Sequence, residues 1–228
     1  MIFLSKNVLF LYVVNIQKGF FMSISVDLLL SYGAIESKCP KNHEIFAEGE
    51  TAKSFYQIKK GIVKMFTYND QGNELIMGFF ADNDSFGEPA IFGKFPYPCA
   101  AVSVIDSTIM KIDIENFKEL IKDNFAYHLE LDKILSERVN YKSFLLKEVL
   151  NESTEHKIVS IIDYFKLKSM KRYDDEGRIK PIYYIFPFTR NELAAMVGLR
   201  VETVIRHVRK LADSGQIVIK NRKIMRKY

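Results

Sequence analysis

Between Phe188 and Leu211 lie side chains able to read or hold a nucleic acid: Glu202 and Arg206 four positions apart, with Arg209 three further on. An arginine can donate two hydrogen bonds to guanine O6 and N7, and a glutamate can accept from a cytosine amino group. Thr189, Arg190, Arg200, Thr203 and Arg209 are suited to phosphates, where contacts position without reading sequence. Taken singly, each is an ordinary solvated side chain. What must position them is more telling. Thr189 followed by Glu192 makes a capping box and starts a helix. Leu193 and Val197 give that helix an apolar face, and Ala194 is small where a second helix would cross. Gly198 falls where the first helix must stop and the chain turn. Leu199, Val204, Val208 and Leu211 then form the buried side of a second helix, leaving Arg200, Glu202, Thr203, Arg206 and Arg209 on its other side. The pattern predicts a helix-turn-helix whose basic second helix can enter a major groove. Gly215 ends that helix. Gln216–Lys220 and Lys223–Lys227 alternate about Asn221 as a two-stranded wing, offering Lys220, Arg222, Lys223 and Arg226 to phosphates.

Charge placement agrees. The 228-residue chain carries a net +5, but residues 189–228 hold ten Lys and Arg against three acidic residues, leaving 23 basic and 25 acidic residues elsewhere. The basic excess therefore belongs to one end, which implies a polyanion partner for one domain. Nearly half the residues are apolar, as in a globular protein. The two cysteines, Cys39 and Cys99, are too few and too far apart for a disulfide framework, zinc site or iron–sulfur cluster, and fit a reducing cytoplasm.

From Lys41 to Ile114 the chain reads as short strands: Phe55–Ile58, Ile62–Tyr68, Glu74–Phe80 and Ala100–Ile105, with a hairpin turn at Asn69–Gly72. That spacing suggests a β-barrel or sandwich. Ile114 to Leu150 contains no proline or glycine. It repeats apolar residues at Leu131, Leu135, Val139, Leu146 and Val149, with a neighbouring row at Ile134, Tyr141 and Leu145. One long amphipathic helix is expected, its stripe covered by the barrel or, as the favoured reading, by the same helix of a second subunit. A further helix is expected over Ser153–Met170, capped by Ser153. It is followed by a charged loop Lys171–Lys180, whose Asp174, Asp175 and Glu176 are solvated rather than metal-binding, and a strand Tyr183–Pro187. The run Val8–Val14 is too short to span a bilayer and is followed by no small-x-small cleavage site, so no membrane association is expected. Residues 1–21 are read as a dispensable extension arising from an early start codon. The expected divisions are thus 1–21 extension, 22–114 barrel sensor domain, 115–150 dimerisation helix and 151–228 winged helix-turn-helix.

This order of parts resembles the Crp–Fnr family over residues 25–228. The resemblance rests on Glu48-Gly-Glu50, Phe55-Tyr-Gln-Ile-Lys-Lys-Gly61, Phe86-Gly-Glu88 and Gly198-Leu-Arg-Val-Glu-Thr-Val-Ile-Arg206. It implies an α+β protein: an N-terminal β-barrel (a double-stranded jelly roll), a long dimerisation helix and a C-terminal winged helix-turn-helix. It further implies a cytoplasmic, bacterial transcription regulator that binds a pseudopalindromic duplex as a homodimer and contacts RNA polymerase. In the family Glu202 and Arg206 match base-reading positions. Val201 stands where the cyclic-AMP receptor has another base-reading arginine, and Ile205 where the Fnr branch has a serine, so an altered half-site is expected.

The barrel departs from the family's cyclic-AMP pattern. Gly87 and Glu88 match the start of the nucleotide-binding helix, and Cys99 and Ala100 complete the expected effector pocket. However, Pro98 and Cys99 replace the phosphate-binding arginine and its hydroxyl neighbour, and no arginine lies between Met1 and Asn116. A buried cyclic phosphate would lack its forked, charge-assisted partner, and Lys94 is a poor substitute. Cyclic AMP is therefore not expected, and no cofactor is assigned. An iron–sulfur sensor would need more than Cys39, a haem sensor would have only His43 to hand, and Cys99 has no neighbouring base to activate its thiol. The competing reading is a small-molecule sensor or enzyme acting through the barrel, with the C-terminal domain used for protein contact. No catalytic triad, phosphate-cradling loop or metal spacing supports it, and His43, His128, His156 and His207 sit in no catalytic pattern.

Overall fold

The computed structural model describes residues 24–150, 153–175 and 181–228. The expected extension 1–21 and part of the acidic loop lie outside the described residues. The chain divides into two compact units. Among the described residues, one holds 24–67 together with 76–140, and the other holds 68–75 and the residues from 141 onward.

The first unit is built on two four-stranded antiparallel sheets. One has the order β1 (Ile35–Cys39), β8 (Ser107–Asp113), β3 (Ser54–Lys60), β6 (Ser85–Phe86). The other runs β2 (Glu44–Phe46), β7 (Ala100–Ser103), β4 (Ile62–Tyr68), β5 (Glu74–Ala81). Side chains alternate across the first sheet, as a pleated strand requires. Tyr56, Ile58 and Ile109 face inward to Phe46, Val63, Phe86, Tyr97 and Ala101, while Phe55, Met110 and Ile112 face outward to a second cluster. That outer cluster is roofed by α1 (Val26–Ser31) and α3 (Ile114–Asp123) through Leu29, Phe117, Leu120 and Ile121. Gln57 is buried among them and is satisfied by the backbone of Ile24, donating from Nε2 to its oxygen (2.8 Å) and accepting from its N–H (3.1 Å), as a buried amide must be. The hairpin turn at Asn69–Gly72 forms as expected. Asn69 Oδ1 accepts from the N–H groups of Gln71 (3.0 Å) and Asn73 (2.9 Å), and Gly72 takes φ of 75°, the local bonding that asparagine brings to turns.

The single helix expected over Ile114–Leu150 is two: α3 ends at Asp123 and α4 runs Phe125–Val149. Asn124 breaks it with φ −128° and ψ 75°; its N–H and Nδ2 both donate to Leu120 O, while its own carbonyl accepts from Tyr127 N–H at the start of α4. An asparagine serving both ends replaces the proline or glycine whose absence suggested continuity. The apolar stripe is also divided. Leu131 and Ile134 are buried in the barrel cluster, with Leu135 partly buried against it, whereas Phe125, Leu129, Val139 and Leu146 are exposed.

In the second unit α5 spans Thr154–Asp175, so the expected loop from Lys171 begins as helix. Ser153 caps it as expected, its Oγ accepting from His156 N–H at 3.3 Å. Helices α6 (Arg190–Val197) and α7 (Val201–Asp213) follow. The sheet has three strands rather than two: β10 (Val218–Lys220) and β11 (Lys223–Lys227) form the wing hairpin, and β9 (Tyr183–Ile185) pairs with the other edge of β11. Asn221 and Arg222, at φ 49° and 62°, make the turn with the primed geometry that suits a tight hairpin.

Candidate nucleic-acid interface and barrel pocket

The capping box is present at the start of α6. Thr189 Oγ1 accepts from Glu192 N–H (3.2 Å), and Glu192 Oε2 accepts from Thr189 N–H (2.7 Å), so two otherwise unpaired amides are satisfied reciprocally. The helix stops at Gly198, whose φ of 68° is the left-handed conformation that glycine adopts without strain. Ala194, 1% exposed, permits close crossing by α7, which buries Val204, Val208 and Leu211. Those three fix the rotation of α7, and the opposite side then follows from helical geometry. Glu202, Arg206 and Arg209 are exposed there, and with Ile205, Lys210 and Asp213 they line one shallow concavity. Arg200 precedes the first turn as N-cap and makes no side-chain cap, leaving the helix's leading amides open beside an exposed guanidinium. Thr189 is exposed and Thr203 half-buried at the same end of the motif.

Not every expected phosphate ligand is free. Arg226 grips Asp163 of α5 with both ends of its fork, Nε to Oδ1 at 3.0 Å and Nη2 to Oδ2 at 2.9 Å, and Nη1 donates to Gln216 O. Such a two-pronged, charge-assisted contact is among the strongest a side chain can make. Burial pushes the Asp163 carboxyl up, but its hydrogen bonds from Arg226 and Lys166 outweigh that and hold it below the usual carboxylate range. The expectation that Arg226 contacts phosphate is therefore corrected: it braces the wing against α5. Arg190 is half-buried and donates from Nη1 to the carbonyl of Arg222, and burial lowers its pKa. Lys223 is half-buried, 3.5 Å from Pro187 O. Glu155, legible in the sequence only as an acidic residue at the start of the helix capped by Ser153, has a longer reach. It accepts from Lys210 Nζ at 2.8 Å and lies 3.0 Å from His207 Nδ1, joining the start of α5 to the recognition helix. The Lys210 hydrogen bond, foremost, holds its pKa at about 2.

In the barrel, Gly87 follows β6 and opens α2 (Glu88–Gly93) with φ of 87°. A side chain at Gly87 would meet Tyr97 at 3.2 Å and Phe46 at 3.5 Å, so packing as well as backbone angle requires glycine. Those two rings stack at 3.7 Å between centroids, and Tyr56 stacks on Phe86 at 5.3 Å, filling the space between the sheets with aromatic carbon. Glu88 is completely buried. Its partner is Arg138 of α4, Nη1 donating to Oε2 at 2.6 Å while Nη2 donates to Ser85 O at 2.7 Å. The guanidinium also sits 5.2 Å from the Phe80 ring, within cation–π range. Beside them Asp84, 2% exposed, accepts from Ala81 N–H at 2.7 Å. Burial raises its carboxyl well above the ordinary range against the pull of that bond and of Arg138. Cys99 and Ala100 are buried where β7 begins, on the other sheet from Ser85 and Phe86. Burial raises the Cys39 thiol. Arg138 escaped the sequence search because it lies beyond the strands, on the helix that covers them.

Among the described residues no cluster of three or more metal-ligating side chains occurs, and no helix is long and apolar enough to cross a membrane. Residues 36–124 match the cyclic nucleotide-binding domain, and residues 157–227 match the Crp-like helix-turn-helix domain. Over 192 residues the chain is 27% identical to the fumarate and nitrate reduction regulatory protein of Salmonella typhi and 26% identical to that of Escherichia coli K12. Each alignment covers 83% of this chain and 74% of the relative. The c-di-GMP responsive global regulator CLP of Xanthomonas campestris superposes with a TM-score of 0.70 at 18% identity, over 89% of this chain and 98% of that one. FixK2 of Bradyrhizobium japonicum does so with a TM-score of 0.62 at 19% identity, over 86% and 93%. With a cyclic nucleotide-binding-type barrel, a long helix and a helix-turn-helix following one another along the sequence, the chain belongs to the Crp–Fnr family and is a transcription regulator with a helix-turn-helix DNA-binding domain.

Proposed function

We propose that the regulator binds a two-fold pseudopalindromic site as a homodimer, reading bases with Glu202 and Arg206 and holding phosphates with Thr189, Arg190, Arg200, Thr203, Arg209 and Lys223. The observation that carries this reading is the division of α7: Val204, Val208 and Leu211 are buried, while Glu202, Arg206 and Arg209 stand exposed on one concave face. The dimer joins through α4. Phe125, Leu129, Val139, Leu146 and Leu150 are exposed, from 54% at Leu129 to 73% at Leu150. Their spacing follows a seven-residue seam with Asp132, Ser136 and Ser143 between them. A lone helix has no use for such a stripe in water.

The effector site is not one for cyclic AMP. Glu88, which would meet the ribose, is held by Arg138; aromatic rings fill the space between the sheets, and Pro98 offers the phosphate no charge. The protein acts in the cytoplasm and engages RNA polymerase from its DNA site, as its family membership suggests. Footprinting on DNA recovered by genome-wide mapping tests this reading, together with sedimentation of Val139→Glu. Paired protected half-sites about one helical turn apart, and a Val139→Glu monomer that no longer protects them, are the expected results. A wild-type monomer, or a single unpaired footprint, would contradict it.

A further inference from the structure

One residue on the outer face of α7 belongs to neither the core nor the set of hydrogen-bonding readers. Ile205 is 37% exposed and lines the same concavity as Glu202, Arg206, Arg209 and Lys210. It stands three positions after Glu202 and four before Arg209, which places all three on one helical face. Val204 lies about 100° and Val208 about 60° away around the helix, and both are buried while Ile205 is left 37% exposed, so Ile205 stands outside the buried stripe, at its rim. β-branching restricts its rotamers in a helix, so its methyl groups project in a fixed direction among charged neighbours.

Within a major groove the one methyl group that an unmodified base pair presents is the thymine 5-methyl, set among hydrogen-bond donors and acceptors. An isoleucine cannot serve those polar edges, and it strips water from them without return. Against a thymine methyl it gains a dry contact. We propose that Ile205 is a specificity residue, packing on a thymine 5-methyl group beside the bases read by Glu202 and Arg206. This inference rests on the reading of that face as the base reader.

The test uses the full chain and duplexes selected from a random pool for binding. Each thymine of the selected site is replaced in turn by uracil, which removes only the methyl group. At one symmetric position, uracil should weaken wild-type binding about four-fold per half-site, the worth of one buried methyl, and about fifteen-fold when both half-sites are changed. Ile205→Ser and Ile205→Ala, both changes at an exposed position, should bind thymine and uracil sites equally while keeping the preference at neighbouring pairs. If uracil costs nothing at any position, or costs Ile205→Ala as much as wild type, Ile205 does not read thymine, although specific binding stands. If selection enriches no sequence, the base-reading assignment of Glu202 and Arg206 falls and this inference falls with it.

Discussion

Replacing Arg138 with methionine keeps most of the side-chain stem and removes the guanidinium from Glu88. The Glu88 side chain is 0% exposed and that of Arg138 19%. The substitution thus strands a carboxylate in the protein interior and frees Ser85 O as well. Removing one partner of a buried ion pair costs about 3–5 kcal/mol. Partial solvent access on the Arg138 side places the expectation near the lower end, about 3 kcal/mol. At about 4 °C per kcal/mol for a unit of this size, the barrel transition should fall by about 12 °C. Differential scanning calorimetry of the full chain measures this directly, with the transition of the DNA-binding unit as an internal reference that should stay in place. The double variant Glu88→Gln/Arg138→Met removes the stranded charge and should recover at least half of the loss, a non-additivity expected only for coupled groups. A drop of less than about 2 °C for Arg138→Met, or a double variant no more stable than Arg138→Met, would refute the assignment of this pair.

Four further perturbations follow from the second unit and the seam. Glu155 titrates at about 2 when folded, below its unfolded value of about 4.3. Its stabilisation is therefore complete above about pH 4.3 and is lost as pH falls toward about 2; Glu155→Gln should melt below wild type at pH 6, with the gap closed near pH 2. Arg226→Gln should destabilise the DNA-binding unit by about 2 kcal/mol in denaturant titrations without altering the salt dependence of DNA binding. Lys223→Ala should do the reverse, lowering the slope of log K against log salt by about 1 and leaving sequence preference unchanged. Val139→Glu should sediment as a monomer, since an apolar seam between two helices cannot bury a charge cheaply.

What could be read from the sequence was local. The capping box at Thr189 and Glu192, the stop at Gly198, the buried spacing of α7 and the turn at Asn69 each depend on residues within about one helical turn or hairpin, and each formed as expected. Strands β1, β2, β6 and β8 went unread because long-range pairing defines them: Ser85 and Phe86 become a strand only opposite Gln57 and Tyr56, and Ile35–Cys39 only opposite β8. The apolar stripe of α4 was visible as a period, but its division between barrel and open seam depends on which face meets the sheet. The two informative ion pairs are longer-range still. Glu88 and Arg138 lie 50 positions apart, and Asp163 and Arg226 lie 63 apart. Nothing in either arginine's neighbourhood marks one as a brace and another as a reader. Arg206 and Arg226 look alike in the chain and differ only once α5 is beside the wing.

In the proposed DNA complex, exposed Glu202 and Arg206 of α7 read sequence while their neighbours only hold the backbone. The most direct measurement of this division is the ratio of specific to non-specific affinity, at fixed salt, for Arg206→Ala and Arg209→Ala on the selected duplex and a scrambled one. Arg206→Ala should cut specific binding by about 1–3 kcal/mol per half-site and relax the preference at its base pair, leaving non-specific binding close to wild type. Arg209→Ala should weaken both duplexes alike. Equal loss on both duplexes for Arg206→Ala, with the ratio intact, would show that Arg206 holds the backbone and does not read sequence.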